Sequence, residues 1–386
     1  MLGLSNIAAN FPASGIRAMF DVAAKYPGYA NLCNGEPNFE TPDNIKEAAI
    51  RAIRDGQTRY APEAGTMEFR QAVADKYTRQ FGRAYGPENV CASLGGVEGV
   101  MLTLMAIINP GDEVLIPDPS YTCYPGQVEV LGGKVVRVPV YEADGFKLTP
   151  ETLERYITPK TKAVIVNYPN NPIGSMLTPE AAEGLADVIE RHGLYVISDE
   201  VYEAIVFDGK KHYSLAQVER IKDQVIVVNS LSKTYAMTGW RIGYCLGSAE
   251  LIFHIGQMQQ SLAACLPTFV LAAGTEAISG PQDAVEAMAK EYAARRDILM
   301  QGLSGLPKIK LFHTEGSFCT FINVKELGKR SEEIAIDLIA KAGVLTVGGQ
   351  AFGRMGEGYL RVCFANSQEV IREGVSRISQ YIHSIA

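Results

Sequence analysis

Residues 230–243 read SLSKTYAMTGWRIG and carry the strongest structural signal in the chain. The stretch follows one apolar run, 225-VIVVN-229, and leads into another, 242-IGYCLG-247. Both runs have the length and composition of buried strands, so Lys233 is expected in a short loop of small residues directly after a strand. Ligands of open α/β sheets bind beyond the carboxyl ends of strands, which makes this lysine a candidate functional residue.

Short apolar runs alternate with longer mixed segments on the N-terminal side of this loop. The other strand candidates are 90–94, 113–117, 134–140, 162–167 and 194–198, and helix candidates include 98–108 and 179–192. Thr178 as N-cap and Pro179 at the first helical position mark the start of the second helix. The alternation predicts an α/β fold in which helices cover both faces of a mainly parallel seven-stranded sheet.

The pattern changes after residue 280. A long helix over 281–303 is followed by strand candidates at 309–312, 318–323 and 359–363 and by helix candidates at 331–342 and 367–383. We expect Ser331 to cap the first of these two helices and Gly343 to end it. These elements predict a smaller α+β domain. The predicted division is a large domain over 40–280 and a discontinuous small domain formed by 1–39 and 281–386.

Charge and cysteine usage exclude several classes of protein. The 386 residues carry a formal net charge of -7, from 36 basic and 43 acidic residues without a long single-sign run. This balance argues against a nucleic-acid partner. The seven cysteines are widely spaced without a C-x-x-C motif, so we expect reduced packing residues and a cytoplasmic protein.

No targeting or membrane segment is expected. The N-terminal sequence has no basic residue before Arg17 and no long apolar core, so it fits neither a secretory signal nor a transit peptide. Residues 251–275 carry no formal charge if His254 is neutral. Their glutamines and the break at Pro267 predict two buried helices rather than a membrane span.

Polar residues follow three of the predicted strands. They are Asn167 and Asn171, then Asp199 and Tyr202, then Ser230, Ser232 and Lys233. Upstream, the glycine-rich turn 93-SLGGVEG-99 offers backbone N–H groups to a phosphate. This set suits pyridoxal phosphate, because a lysine forms a Schiff base with the aldehyde and a carboxylate pairs with the pyridinium nitrogen.

On these motifs the chain resembles the class I/II aminotransferases of pyridoxal-phosphate fold type I, the group of aspartate and aromatic aminotransferases. The resemblance runs from 35-GEPNF-39 to 359-YLRVCFA-365, and its most specific part is the lysine box 230–243, whose Lys233 lies 34 residues after Asp199. It implies a pyridoxal-phosphate-dependent transaminase. The expected reaction is a ping-pong exchange of the amino group between an L-amino acid and a 2-oxo acid, in a homodimer with shared active sites.

The resemblance also implies roles for individual residues. Lys233 resembles the lysine that forms the internal aldimine and moves the substrate proton on the way to pyridoxamine phosphate. Asp199 resembles the pyridinium partner, and Asn171 and Tyr202 resemble the ligands of the ring 3-oxygen. Gly35, Asn171 and Arg361 resemble the site for the substrate α-carboxylate.

The remaining cofactor contacts implied by the resemblance are Gly96, Val97, Tyr121, Ser230, Ser232, Arg241 and Tyr60. Ser230 and Arg241 resemble phosphate ligands, assisted by the backbone at Gly96 and Val97. Tyr121 resembles the ring that stacks on the cofactor. Tyr60 resembles the tyrosine that reaches the phosphate of the neighbouring subunit.

Each assignment has a plainer alternative when it is taken singly. Lys233 could be a surface lysine, Asp199 a helix cap, and Arg361 a surface ion-pair member. Tyr60 and Tyr121 could be packing residues. The pattern as a whole, in order and at family spacing, favours the site, while the five histidines show no metal-ligand spacing.

Substrate choice and reaction class stay open. Some relatives bind a distal carboxylate through a lysine where this chain has Val97, so a dicarboxylate preference is in doubt; Arg17 could supply a replacement charge or only pack between domains. The same residues serve carbon-sulfur β-lyases. They also serve effector-sensing modules fused to DNA-binding domains, for which we expect no room here.

Overall fold

The computed structural model describes residues 3–11 and 15–385. Its strands are β1 (Ala30–Asn31), β2 (Val90–Ser93), β3 (Glu113–Asp118), β4 (Lys134–Pro139), β5 (Thr161–Asn167), β6 (Tyr195–Asp199), β7 (Val225–Ser230), β8 (Gly243–Leu246), β9 (Lys310–Leu311), β10 (Cys319–Asn323), β11 (Val344–Leu345), β12 (Val347–Gly348) and β13 (Tyr359–Cys363). Its helices are α1 (Asn6–Asn10), α2 (Gly15–Ala23), α3 (Asp43–Arg54), α4 (Met67–Phe81), α5 (Gly96–Ile107), α6 (Cys123–Val130), α7 (Pro150–Arg155), α8 (Pro179–His192), α9 (Leu231–Thr234), α10 (Ala249–Ala263), α11 (Thr268–Ser279), α12 (Asp283–Leu303), α13 (Ser331–Asp337) and α14 (Gln368–Ile385).

The central sheet has seven strands in the order β2-β8-β7-β6-β5-β3-β4. The pairs from β7 to β4 are parallel, and β8 runs antiparallel to both β2 and β7. Strands β6 and β7 are almost wholly buried, because helices cover both faces of the sheet. The α/β fold predicted from the sequence is confirmed, and the predicted strands 90–94 to 242–247 agree with the structure to within two residues.

The C-terminal part forms a second, four-stranded sheet in the order β12-β13-β10-β9. A short parallel pair joins β1 near the N-terminus to β11, with Ala30 opposite Val344. Residues 30–31 therefore pair with the C-terminal part of the chain. This pairing supports the division into domains 40–280 and 1–39 with 281–386, which we retain as a proposal.

One helix start differs from the prediction. The N-cap of α13 is Arg330, and Ser331 is the first helical residue. The carboxylate of Glu357 accepts hydrogen bonds from the backbone N–H of Ser331 at 2.8 Å and from its hydroxyl at 2.9 Å, so a distant side chain takes the capping role expected of Ser331. The helix continues as a π-helical turn over Leu338–Ala342 and ends at Gly343 in the left-handed conformation, as predicted.

The uncharged stretch 251–275 forms α10 and α11, and Pro267 stands at the N-cap of α11. Helix α10 is buried on one face only: Leu251, Ile252 and Ile255 are buried, whereas Phe253 is 63% and Leu262 49% exposed. Among the described residues, no helix combines the length and apolar character that a bilayer crossing requires.

Candidate active site

A cavity of about 540 Å³ opens where β5, β6 and β7 end. Asn167, Asp199 and Ser230 are the last residues of these three strands, and all three line the cavity. The structure brings twelve of the predicted site residues into this one cavity: Gly35, Gly96, Val97, Tyr121, Asn171, Asp199, Tyr202, Ser230, Ser232, Lys233, Arg241 and Arg361.

Lys233 lies in α9, a single helical turn that starts directly after β7. Ser230 caps this turn by accepting a hydrogen bond from the backbone N–H of Ser232 at 3.2 Å. The Lys233 Nζ atom donates to the carbonyl oxygen of Gly35 at 2.6 Å. Burial lowers the pKa of Lys233, because desolvation disfavours the ammonium form. A neutral amine is the nucleophilic form, so the surroundings suit a Schiff-base lysine.

Asp199 lies at the bottom of the cavity and is 6% exposed. Burial raises its pKa to about 6, although hydrogen bonds from Tyr124 and from the backbone N–H of Val201 oppose this shift. The Tyr124 hydroxyl donates to Asp199 Oδ2 at 2.6 Å, and the N–H of Val201 donates to Oδ1 at 3.3 Å. A buried carboxylate held in this way suits a cationic partner such as a protonated ring nitrogen.

Tyr124→Phe should raise the pKa of Asp199, since the variant removes a hydrogen bond that stabilises the carboxylate. A hydrogen bond to a charged group is worth about 1.5 kcal/mol, which corresponds to about one pH unit. Binding of pyridoxal phosphate by the apoenzyme should weaken at low pH, as Asp199 becomes protonated. We expect this acid limb of the pH profile to move to higher pH by about one unit in the variant. Absorbance titrations at a series of pH values measure it.

The control for this variant is Tyr381→Phe. The Tyr381 hydroxyl also bonds a carboxylate, Asp337 Oδ2 at 3.2 Å, but it lies in α14 and does not line the cavity. An acid limb that moves equally in both variants, or in neither, would contradict the role assigned to Tyr124.

Asn171 and Tyr202 lie next to each other in the cavity wall. The Asn171 Nδ2 atom donates to the Tyr202 hydroxyl at 3.3 Å, and the Asn171 backbone N–H donates to Asn167 Oδ1 at 2.8 Å. Asn171 Oδ1 is buried and has no hydrogen-bond partner in the structure. An amide and a phenol held side by side suit an oxygen of a ring substituent, as the resemblance implies.

The anion end of the cavity lies at the N-terminus of α5. Gly95 has a φ of 82°, and a Cβ atom there would come within 2.7 Å of Arg241 Nη2. Only glycine therefore allows this close approach. Carbonyl oxygens of Leu94 and Thr238 accept from the Arg241 guanidinium at 2.9 and 3.0 Å.

Two hydroxyls complete this end of the cavity, where Ser230 Oγ lies 2.8 Å from Ser232 Oγ. A helix N-terminus, a guanidinium and hydroxyls together make a phosphate site. The backbone at Gly96 and Val97, the first two residues of α5, has no earlier helical turn to accept its N–H groups.

Arg361 closes the opposite end of the cavity from β13 and is 2% exposed. Its Nη2 atom donates to the carbonyl oxygen of Cys33 at 2.7 Å, while its Nε atom is buried without a partner in the structure. A buried guanidinium with an unsatisfied donor is prepared for a carboxylate. Gly35 lines the same end.

Two residues named from the sequence lie outside the cavity. Tyr60 is 90% exposed on the surface, so it does not reach this chain's own site. The Arg17 side chain is 80% exposed and lies 3.8 Å from Asp21. From the same helix α2, Ile16 and Phe20 line the cavity.

Sequence reasoning missed part of the site. Tyr124 is not among the site residues predicted from the sequence; its ring packs edge-to-face with that of Tyr121 at 5.5 Å. The only signal for its bond to Asp199 was its place three residues after Tyr121, at the start of α6. Cys33 and Thr238 also line the cavity, and neither stands out in the sequence.

A buried polar cluster begins directly after β6 and does not line the cavity. Glu200, Glu203 and His212 offer ligand atoms within 4.8 Å of one another, the spacing of a metal site. However, His212 Nε2 lies 2.8 Å from Glu200 Oε2, and Lys76 Nζ bonds Glu203. Since these positive partners already balance the carboxylates, we interpret the cluster as an ion-pair network. The expectation that the chain binds no metal remains a prediction.

The arrangement fits pyridoxal phosphate. Arg241, Ser230 and the N-terminus of α5 would hold its phosphate, and Asp199 would hold its ring nitrogen. Asn171 and Tyr202 would offer an amide N–H and a phenol O–H to its ring 3-oxygen, and Lys233 supplies the amine. The donor set covers each polar group of that cofactor.

Comparison with known proteins agrees with this geometry. The family Aminotransferase class I and II matches residues 27–378. The chain is 39% identical to an aspartate aminotransferase of Pyrococcus horikoshii over 95% of this chain and 94% of that protein, and 38% identical to aromatic-amino-acid aminotransferase 2 of Thermococcus litoralis over 96% and 95%. The solved structure of Thermus thermophilus aspartate aminotransferase with maleate superposes with a TM-score of 0.92 at 35% identity, covering 98% of this chain and all of that one. The chain therefore belongs to the class I and II aminotransferases, a family that is generally dependent on pyridoxal phosphate, and it is an aminotransferase.

Proposed function

We propose that this aminotransferase moves the amino group from an L-amino acid to a 2-oxo acid by a ping-pong mechanism in which Lys233 carries the cofactor and transfers the proton. The observation that carries the proposal is the convergence of Lys233, Asp199 and Arg361 on one cavity from α9, β6 and β13. The amine can bond the cofactor aldehyde, the carboxylate can pair with the ring nitrogen, and the guanidinium can bind the substrate α-carboxylate.

Pyridoxal phosphate, when bound, supplies an aldehyde for the amino group and a ring that accepts electrons from the substrate Cα. Asp199 keeps the ring nitrogen protonated by its buried negative charge, and Tyr124 holds that carboxylate in place. Lys233 takes the proton from the substrate Cα and would deliver it to the cofactor C4′ within the same half-reaction, since burial favours its neutral amine. In the second half it would carry a proton in the opposite direction, from C4′ to the Cα of the 2-oxo acid.

Arg361 binds the substrate α-carboxylate, and its unsatisfied Nε donor is the reason to expect a bidentate grip. Ile16 and Phe20 cover the cavity from α2 and exclude water from the reacting groups. The bond between Arg361 and the α-carboxylate therefore positions the substrate, and the apolar side chains of α2 close the site.

The substrate side chain meets a wall without a spare basic group. Among the described residues that line the cavity, the basic ones are Lys233, Arg241 and Arg361, and each already has a role at the amine, the phosphate or the α-carboxylate. The exposed side chain of Val97 lies where a second carboxylate could otherwise be bound. We infer that aliphatic or aromatic donors are preferred over aspartate.

Val97→Lys should shift this preference. An ammonium group at the cavity wall can bond the distal carboxylate, and such a charged hydrogen bond corresponds to about a tenfold gain in kcat/KM for aspartate. Steady-state kinetics with aspartate and with leucine measure the ratio. Val97→Met adds similar length without charge and should leave it unchanged, so an equal gain in both variants would contradict the interpretation.

We propose that the enzyme acts as a homodimer in which Tyr60 reaches the phosphate of the neighbouring subunit's cofactor. The support comes from large apolar side chains that are exposed on this chain. They are Tyr60 and, on α10, Phe253 and Leu262. The segment before Tyr60 contacts the start of α11, where Thr268 Oγ1 bonds the carbonyl oxygen of Gln57. These residues are a coherent candidate for the dimer contact.

A subunit-mixing experiment tests the shared site. Lys233→Ala and Tyr60→Phe homodimers each have impaired sites. A hybrid dimer would combine both lesions in one site and leave the other intact. We expect reassociated mixtures to exceed the mean activity of the two parents; activity that never exceeds this mean would contradict a shared site.

The overall proposal is tested by adding single amino acids to the enzyme loaded with pyridoxal phosphate. Each accepted donor should convert the absorbance of the lysine-bound cofactor into that of the pyridoxamine form, and a 2-oxo acid should reverse the change. No conversion with any common amino acid would overturn the proposal. Pyruvate release from cystathionine without a 2-oxo acid would instead indicate a β-lyase.

A further inference from the structure

Cys319 and Cys363 are buried thiols that touch each other. They are register partners on the antiparallel strands β10 and β13, and their Sγ atoms are 2.9 Å apart. The N–H of Cys363 donates to the carbonyl oxygen of Leu32, and the N–H of Cys319 lies 3.3 Å from Ser317 Oγ. The two cysteines therefore form a non-hydrogen-bonded pair, the type in which facing side chains come closest. A disulfide can form here without rearrangement of the strands.

The pair lies beside the guanidinium of Arg361. Arg361 precedes Cys363 by two residues on β13, so both side chains point to the same face of the sheet. Burial opposes ionisation of Cys319, but the hydrogen bond from Cys363 and the charge of Arg361 outweigh it and lower the pKa of Cys319. The environment thus favours a thiolate in contact with a second thiol, whose own pKa is raised by burial.

A second cysteine pair in the chain provides a built-in comparison. Cys91 and Cys245 are also register partners on antiparallel strands, β2 and β8, and both are fully buried. Burial raises the pKa of Cys91 well above its usual value and that of Cys245 to about 12. Their thiols bond backbone carbonyl oxygens of Ala92 and Gly99 rather than each other. Buried thiols that do not contact each other and whose pKa values are raised are expected to stay reduced.

We propose that Cys319 and Cys363 are a redox-active dithiol, which hydrogen peroxide converts into a disulfide while no carboxylate is bound to Arg361. The Cys319 thiolate attacks one peroxide oxygen and the O–O bond breaks. The departing hydroxide takes up the proton that the Cys319 thiol released on ionising, so a sulfenic acid and water result. The Cys363 thiol then attacks the sulfenic sulfur, the S–S bond forms, and a second water leaves. In sum, two thiols give up two electrons and two protons, and one peroxide becomes two waters.

We expect the peroxide to arrive through the active-site cavity. Cys33, Lys233 and Arg361 line the cavity, and Cys363 follows Arg361 by two residues on the same face of β13. A substrate carboxylate on Arg361 adds a negative charge next to Cys319 and offsets the guanidinium that favours its thiolate. The pKa of Cys319 then rises, and a rise of one unit lowers the thiolate fraction about tenfold. Substrate therefore protects the dithiol. This gating rests on the proposed role of Arg361, whereas the formation of the disulfide does not.

The test is thiol mapping of the enzyme loaded with pyridoxal phosphate. The protein is treated with hydrogen peroxide with and without pyruvate, alkylated in denaturant and digested without reduction. We expect a linked peptide pair containing Cys319 and Cys363, lighter by two hydrogen atoms and reversible by dithiothreitol. Saturating pyruvate should slow its formation about tenfold. Cys91 and Cys245 should be recovered as free thiols.

Variants and a second readout keep the outcomes separate. Cys319→Ser and Cys363→Ser should each abolish the linked peptide, and Cys265→Ser should retain it; thermal unfolding checks that the serine variants fold. Free Cys319 and Cys363 after the partly exposed Cys265 has been oxidised would overturn the dithiol. A Cys91–Cys245 link that forms equally fast would overturn the role of Arg361, and a rate unaffected by pyruvate would overturn the gating. Amino transfer is assayed in parallel, so failure of the proposed function appears independently of the peptide map.

Discussion

Lys233→Ala is expected to lose both the absorbance of the lysine-bound cofactor and catalytic turnover. The variant removes the amine that bonds the aldehyde and also the base that transfers the Cα proton. A positioned acid–base group alone accounts for up to about 10⁴-fold in rate, so we expect a loss in kcat of at least that size. Absorbance spectra and single-turnover assays with an amino donor measure the two effects separately.

Lys160→Ala is the matched control, because Lys160 is exposed and lies in the turn before β5, away from the cavity. It should keep the spectrum and the rate of the parent enzyme. A small primary amine in the buffer should restore part of the activity of Lys233→Ala, since the truncated side chain leaves space in the cavity. Full activity of Lys233→Ala without added amine would falsify the proposed mechanism.

Asp199→Asn is expected to retain the cofactor and to lose about 10³-fold in kcat, the scale of one lost preorganised electrostatic contact in a buried site. Asparagine preserves the shape of the side chain, and the phosphate contacts of Arg241 and Ser230 remain. The loss therefore reports the missing negative charge at the ring nitrogen. Equilibrium dialysis of the cofactor and steady-state kinetics distinguish binding from rate.

The pH dependence of this variant is also distinctive. Burial raises the pKa of Asp199 to about 6, so in the apoenzyme its carboxylate is present above that pH and is lost as the pH falls through it. Cofactor capture should weaken in the same direction, and Asp199→Asn should abolish this limb. Glu200→Gln removes the neighbouring charge, which bonds Ser214 and His212 outside the cavity. Equal losses of rate in both variants would point to general destabilisation instead.

Much of the fold and of the site could be predicted because the signals are local. Strands β5, β6 and β7 are short apolar runs, and each ends at the polar residue that lines the cavity. The box around Lys233 combines a strand end, a capping serine and a fixed distance from Asp199. Two adjacent residues, Thr178 as the N-cap and Pro179 at the first helical position, specify the start of α8.

The rest depends on contacts between distant segments. Tyr124 is separated from Asp199 by 75 positions, and no local pattern shows that its hydroxyl reaches that carboxylate. Glu357 replaces Ser331 as the cap of α13 from 26 positions away. The contact between Cys319 and Cys363 arises from the register of β10 and β13, which single-strand patterns do not reveal.

The bond between Arg361 and Cys33 has a consequence for synthesis of the protein. These two residues are 328 positions apart, and the β1–β11 pair likewise joins the beginning of the chain to its end. The central sheet ends at β8 and can assemble while the C-terminal third is still being translated, because domains fold as units during synthesis. The site for the substrate carboxylate cannot form at that stage, because Arg361 has not yet been synthesised. A ribosome-bound chain could therefore hold a cofactor cradle before it can hold a substrate, and a truncation at either end would leave a folded sheet without the means to recognise an amino acid.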